Sequence, residues 1–214
     1  MKKCLIFGAL DIDAPEIDFE EIGLIIAADG GLKTLMKMNI TPDLIVGDFD
    51  SLGEKPLGDN VIIHPTRKND TDTMLAIKIG LEKGYKEFLV FGCIGGRLDQ
   101  TVASIQTASF VAENGGNAVF FDNETRVTVI KNSSISFSDD NKGTVSVFAI
   151  SSNAYGVKES NLLYTLNNAE LTPDFPLGVS NEFIGKNASI EVSDGKLCII
   201  WNGQNGNFTL GDKK

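Results

Sequence analysis

The pattern of apolar positions changes character partway along the chain. Through residue 122, short apolar runs that end in glycine or acid alternate with segments of helical spacing. The runs "CLIFG" (4–8), "IGLIIAADGG" (22–31), "LIVGD" (44–48), "VIIHP" (61–65), "EFLVFG" (87–92) and "NAVFFD" (117–122) read as buried strands. Between them, "GLKTLMKM" (31–38) sets Leu32, Leu35 and Met36 at helical spacing. "TDTMLAIKIGLEKG" (71–84) puts Leu75, Ile79 and Glu82 on one face, with Met74, Ile77 and Leu81 beside it and Gly84 as its cap. "RLDQTVASIQTASFVAENGG" (97–116) carries Leu98, Val102, Ile105 and Ala112 on a stripe, which predicts the buried face of a third helix. Near-continuous apolar strands alternating with amphipathic helices predict a parallel sheet covered on both faces.

From residue 125 onward no segment has helical spacing. "TRVTVI", "SISFS", "GTVSVFAI", "NLLYTL", "ASIEVS" and "KLCIIW" are short, often alternate apolar with polar, and are separated by Asn, Gly, Ser and Asp. "SDG" (193–195), between two of them, predicts a hairpin. "GVSNEF" (178–183) reads as a loop between strands. This half predicts an antiparallel sandwich or barrel. The boundary falls within "NETRVTVIK" (123–131), dividing the chain into an α/β domain over residues 1–124 and an all-β domain over 125–214.

Composition narrows the function. Apolar residues make up 42% of the 214 positions and charged residues 22%, ordinary values for a globular protein. The net charge of −10 lacks the basic field that a general nucleic-acid binder needs. Cys4, Cys93 and Cys198 are spaced for neither a zinc site nor a disulfide framework, and they suggest a reducing compartment. The start "MKKCLIFGALD" is too short in its apolar run for a signal peptide, and no run approaches the length of a membrane helix. A cytoplasmic, soluble protein is expected. His64, the only histidine, precedes Pro65 late in a strand and reads as structural, which disfavours Ser-His-Asp chemistry. Trp201 reads as core.

The chemistry-bearing residues fall where ligands sit in open parallel sheets, beyond the carboxyl ends of the strands. Asp29, Gly30 and Gly31 follow "LIIAA". Asp48 and Asp50 follow "LIV", Asp70 and Asp72 follow "VIIHPTRKN", and Arg97 and Asp99 follow "FLVFGCIGG". Two carboxylates at 4–5 Å repel by roughly 3–4 kcal/mol at an effective dielectric near 20. "GDFDS" therefore reads either as a pair turned toward one divalent cation or as a solvated loop in which Asp50 or Ser51 caps a turn. In "NDTDT" (69–73), Asn69 or Asp70 can cap the helix that follows, which leaves Asp72 as a third acid. In "GCIGGRLDQT" (92–101), glycines after a strand either make a plain turn or let backbone N–H groups, Gly95 and Gly96 among them, approach an anion beside the Arg97 fork. The glycines of "ADGG" either follow a helix cap at Asp29 or mark close backbone approach to a ligand. A magnesium-dependent phosphohydrolase, a non-catalytic nucleotide or vitamin sensor, and an interaction protein with capped helices are the competing classes.

In this order and spacing, "ADGG", "PDLIVGDFDS", "TD" opening a helix, "GGRLD" and the late "SNEF" resemble the thiamine pyrophosphokinase family over nearly the whole chain. The resemblance implies a catalytic, ATP-binding Rossmann-like α/β domain and a thiamine-binding β-sandwich domain, working as a homodimer. It implies transfer of the pyrophosphoryl group of ATP to the hydroxyl of thiamine with Mg²⁺ and release of AMP. By motif, Asp48, Asp50 and Asp72 would hold the metal, and Arg97 would bind phosphate. Asp99 would complete the acidic cluster or orient the hydroxyl. Asp29, Gly30, Gly31, Ser51, Gly95 and Gly96 would line the substrate cleft, and Ser180, Asn181 and Phe183 would contact thiamine. Asn69 and Gln100 depart from the family pattern, which usually has Asp and His there.

Overall fold

Glycine-terminated apolar runs become the strands of a parallel sheet. The structure, a computed structural model, describes residues 2–13, 16–47, 61–63, 70–150, 152–203 and 206–211. The chain divides into two units, Met1–Val111 with Ala118–Asn123, and Ala112–Asn117 with Glu124–Lys214. The first unit holds β1 (Lys3–Phe7), β2 (Ile22–Ala28), β3 (Leu44–Gly47), β4 (Val61–Ile63), β5 (Glu87–Phe91) and β6 (Asn117–Phe121) in the order β6-β5-β1-β2-β3-β4. β1 pairs in parallel with both β2 and β5, β2 with β3, and β3 with β4. Among the described residues three α-helices accompany them: α1 (Gly31–Lys37), α2 (Asp72–Glu82) and α3 (Leu98–Glu113).

Small residues decide how the helices lie. α2 buries Ala76, Ile77 and Gly80, and a Cβ at Gly80 would come within 2.5 Å of the Phe88 ring. The missing side chain thus lets the helix sit close on β5. The helix is closed by Gly84, whose φ of +89° turns the chain so that the following N–H, of Tyr85, reaches the Gly80 carbonyl at 3.0 Å. α3 corrects part of the predicted stripe: Ala112 is buried and Ile105 half-buried, but Leu98 is 78% exposed and Val102 48%, whereas Ser104, Thr107, Ala108 and Val111 are buried. The buried hydroxyls are satisfied locally. Ser104 donates to the Cys93 carbonyl and Thr107 to the Ala103 carbonyl, so polar residues can form the inner face without an unpaired group.

The second unit holds β7 (Thr125–Lys131), β8 (Ser134–Phe137), β9 (Thr144–Ala149), β10 (Ala154–Ser160), β11 (Leu166–Leu171), β12 (Gly178–Glu182), β13 (Ala188–Glu191), β14 (Lys196–Asn202) and β15 (Phe208–Leu210). One sheet runs β12-β9-β14-β7 and the other β11-β10-β13-β8-β15, with antiparallel pairing. Side chains interdigitate between them: Trp201 of β14 packs edge-on against Phe137 of β8 and Phe208 of β15, with ring centroids 5.5 and 5.2 Å apart. Three local expectations are corrected here. "NLLYTL" is mostly the connection between β10 and β11, its Asn161 at φ +58°. "GVSNE" is a strand rather than a loop. "SDG" does not close a hairpin, because β13 pairs with β8 and β10 while β14 pairs with β7 and β9. The hydrogen bonds that would have linked the two arms go to Tyr155 and Asn132 instead.

All three cysteines are free and buried. Burial pushes the thiols of Cys4 and Cys198 up to about 12 and that of Cys93 up to about 11. Since the thiolate is the nucleophile, Ellman's reagent at pH 8 is expected to leave all three thiols unreacted in the native protein and to titrate all three in urea. A fast-reacting thiol in the native protein would contradict this burial.

Candidate active site

The aromatic side chains at the carboxyl ends of three strands form a row. Phe7 of β1 stacks on Phe91 of β5 at 5.3 Å, and Phe91 stacks on Phe121 of β6 at 4.6 Å. Just beyond the row, backbone bonds tie the departing loops together. Gly8 N–H donates to the Phe91 carbonyl (2.7 Å), Leu10 N–H to the Gly92 carbonyl (3.0 Å) and Gly92 N–H to the Phe121 carbonyl (3.2 Å). Gly92 sits at φ +68°, and a Cβ there would meet the Leu10 carbonyl oxygen at 2.5 Å. A glycine is therefore required for this loop to pass.

These loops surround a cleft of about 390 Å³. Its wall is made by Gly8, Ala9 and Leu10 after β1, Ala28 and Asp29 at the end of β2, Thr71, Asp72 and Thr73 at the start of α2, Gly92 and Cys93 after β5, and Arg97, Gln100, Ala103 and Ser104 leading into and along α3. The structure thus brings Asp29, Asp72 and Arg97 to one cavity, from three strand-to-helix connections. The first strand's loop was missed by sequence reasoning. Its signal was "CLIFG", an apolar run ending in glycine like the others. Thr71 and Thr73 were also missed as wall residues.

Each predicted residue among those described has a definite local setting. Asp29 adopts φ +47°, a left-handed conformation that aspartate tolerates, and its N–H donates to the Val46 carbonyl at 2.8 Å. It does not cap α1, whose N-cap is Gly30 with no side-chain bond. The glycine pair is explained by the protein itself: a Cβ at Gly31 would lie 1.9 Å from the Phe7 carbonyl oxygen, and one at Gly30 would lie 3.0 Å from the Ala9 Cβ. The cap of α2 is neither Asn69 nor Asp70 but Thr71, whose hydroxyl accepts from Met74 N–H at 3.1 Å. Asp70 instead takes the Lys78 ammonium on both oxygens, each at 2.8 Å. Asp72 occupies the first turn of α2 and faces the cleft.

Arg97 and Asp99 form a fork. Nε donates to Oδ1 at 3.1 Å and Nη2 to Oδ2 at 2.6 Å. The guanidinium holds the Asp99 carboxyl below its ordinary range, and the carboxylate in turn raises Arg97. The carboxylate occupies the two-oxygen position that a phosphate would take in the same fork. The loop between is pinned by Thr101, whose hydroxyl donates to the Arg97 carbonyl and accepts from Gly95 N–H at 3.3 Å. Gly95 lies at φ +88°, with Asp122 where its Cβ would be, and Gly96 lies under the Leu10 side chain. Asp48, Asp50 and Ser51, like Asn69 and His64, lie outside the described residues. Among the described residues no group of three acidic, histidine or cysteine side chains is arranged to hold a metal ion.

In the second unit, Ser180 takes φ +60° where the pairing of β12 with β9 slips, and its N–H donates to the Ser146 hydroxyl at 3.0 Å. Asn181 is 4% exposed. Its oxygen accepts from Tyr164 N–H and Glu182 N–H, both at 2.9 Å, and its amide nitrogen donates to the Tyr164 carbonyl and to Glu159, both at 2.6 Å. Phe183 packs edge-on against Phe137 at 5.0 Å. Glu159 is 2% exposed. Burial raises its carboxyl, against the Asn181 bond that lowers it.

Comparison with known proteins agrees in both units. Residues 19–120 match the family model for the thiamin pyrophosphokinase catalytic domain, and residues 132–197 that for the thiamin pyrophosphokinase vitamin B1 binding domain. A thiamine pyrophosphokinase of Bacillus subtilis is 27% identical over 188 residues, spanning 85% of this chain and 88% of the relative. In fold, the chain is similar to the crystal structure of thiamine pyrophosphokinase from Bacillus subtilis (TM-score 0.81, 24% identity, 95% of this chain and 100% of that one). It is also similar to thiamin pyrophosphokinase from Candida albicans (TM-score 0.72, 20% identity, 94% and 89%).

Proposed function

The chain belongs to the thiamin pyrophosphokinase family, and from that premise we propose that it transfers the pyrophosphoryl group of ATP to the hydroxyl of thiamine, releasing AMP. The observation that carries this is the pairing, in one chain and in order, of a catalytic-domain match over a strand-end cleft with a vitamin B1 binding match over the β-rich unit. The thiamine hydroxyl oxygen attacks the β-phosphorus of ATP. The bond from that phosphorus to the α–β bridging oxygen breaks, AMP leaves, and the hydroxyl proton is lost.

Within this reading, ATP occupies the cleft of the first unit. Arg97 exchanges the Asp99 carboxylate for phosphate oxygens and so presents two parallel donors to the transferring group. Asp99 is the carboxylate that phosphate displaces from the Arg97 fork. The family implies Mg²⁺. The donor set fits a hard cation, because among the described residues the cleft presents the carboxylates of Asp29 and Asp72 and neither histidine nor a thiolate-forming cysteine. Asp72, Asp48 and Asp50 would hold the ion, which neutralises phosphate charge when bound. Ser180, Asn181 and Phe183 form the thiamine-contacting segment: Ser180 offers an exposed hydroxyl, while Asn181 sets the backbone around it. A homodimer is part of the same proposal, supported by the exposed Leu163, Tyr164, Phe175, Leu177, Val179 and Ile184 along β12 and its flanking connections. So is a cytoplasmic location, to which the absence of any helix long and apolar enough to span a membrane among the described residues is relevant.

The test is AMP formation from ATP, followed with and without thiamine. AMP is expected only when thiamine is present. Release of phosphate at the same rate without thiamine would replace this reading with that of a phosphohydrolase.

A further inference from the structure

We infer that Glu159 is a positioning residue for the Ser180–Phe183 segment, acting through the side-chain amide of Asn181; this rests on the reading of that segment as the thiamine contact. Glu159 lies on β10, in one sheet of the second unit, and its carboxyl reaches across to β12 in the other. A carboxyl in that position is desolvated, and with only one oxygen bonded it is costly to bury. Its presence therefore calls for an explanation other than stability.

The bonding supplies one. Asn181 grips the Tyr164 peptide from both sides, accepting from its N–H and donating to its carbonyl, and it also accepts from Glu182 N–H. That uses three of the amide's four hydrogen-bonding positions. The fourth, the second amide hydrogen, goes to Glu159 Oε2 at 2.6 Å. Glu159 thereby completes the amide's bonding and locks the orientation that Tyr164 and Glu182 set. With the ends set, β12 is tied to the Leu162–Tyr164 connection, where Leu163 N–H donates to the Glu182 carbonyl at 3.0 Å and Leu162 bridges Phe183. Ser180 is held between these bonds and its own bond to Ser146, in a left-handed conformation that a serine does not adopt unaided.

The strand opposite is shaped to admit the carboxyl. Gly178 faces it, and a Cβ there would stand 3.4 Å from Glu159 Oε1 and 2.6 Å from the Val147 carbonyl oxygen. Oε1 has no hydrogen-bond partner among the described residues. Only the oxygen that holds Asn181 is engaged, as expected of a group retained for that single contact.

Steady-state kinetics on the full chain test this. Glu159→Met is expected to raise the KM for thiamine about tenfold while kcat and the KM for ATP stay within about threefold, because the lost contact serves ground and transition state alike. Glu159→Gln, which keeps an acceptor for Asn181, is expected to restore the thiamine KM to within about threefold of wild type. The double variant Glu159→Met with Asn181→Ala is expected to be no worse than Asn181→Ala alone, since both act through one amide. Should Glu159→Met not fold, Glu159→Asp replaces it: the carboxyl falls short of Asn181, and the same thiamine-specific rise is expected. If Asn181→Ala raises the thiamine KM but the Glu159 variants do not, the inference is wrong and the binding segment stands. If neither moves it, the segment is not the thiamine contact and the inference falls with it. Equal rises in both KM values would mark Glu159 as merely structural and overturn it.

Discussion

Asp72→Asn is expected to lower AMP-forming turnover by about 10³-fold or more, roughly 4 kcal/mol of transition-state stabilisation, while leaving the protein folded. The cap of α2 is Thr71, through its hydroxyl, so the Asp72 carboxylate is not needed to start the helix. As a first-turn acid it also interacts with the helix dipole, worth about 0.3–1 kcal/mol. Asparagine keeps the shape and removes the charge. Loss of turnover with an unchanged melting temperature would therefore report on the phosphate chemistry alone. Asp50→Asn is expected to give the same loss if Asp48, Asp50 and Asp72 share one cation. Near-wild-type turnover in either variant, measured at saturating magnesium, would remove that carboxylate from the metal site.

Gly31→Ala is expected to be the most destabilising small substitution in the first unit, by about 3–5 kcal/mol. An added methyl would sit 1.9 Å from the Phe7 carbonyl oxygen and 2.5 Å from its carbon. Those atoms belong to the backbone of β1, which is held on both sides by β2 and β5. No rotamer change relieves such a clash; either α1 must move away or the sheet must distort. With a total stability of about 5–15 kcal/mol for an ordinary domain, a urea midpoint far below wild type is expected. Gly84→Ala is the internal control. No atom lies within 4 Å of its added Cβ, so only the cost of a positive φ applies, about 1–2 kcal/mol. If Gly31→Ala instead kept its full stability and lost only ATP affinity, the glycine pair would serve the ligand rather than the fold.

The first unit was legible because its strands are apolar throughout and punctuated by glycine, so alternation of strand and helix could be read without knowing the pairing. The same rule led to the rim where Asp29, Asp72 and Arg97 meet. What the pattern concealed was polarity turned inward. Ser104 and Thr107 line the hidden face of α3 because each finds a carbonyl within reach, while Leu98 and Val102 stand exposed. In the second unit individual strands were legible and their partners were not. "SDG" has hairpin chemistry, yet Asn132 and Tyr155 take its hydrogen bonds and send the two arms to different sheets. Nothing local to residues 193–195 encodes that choice. Asn181 likewise gave no sign in sequence that its amide would be spent on Tyr164 and Glu159.

β1 stands between β2 and β5 in the sheet, and both neighbours follow it in the chain. During synthesis its first neighbour begins about 15 residues after it ends, but the second begins about 80 residues after it ends. At roughly 5–20 residues per second, that is about 4–16 s in which one edge of an apolar strand has no mate. The nascent chain on the ribosome therefore passes through a stage whose hazard is set by strand order alone, and any helper protein that shields emerging β-edges has its window there.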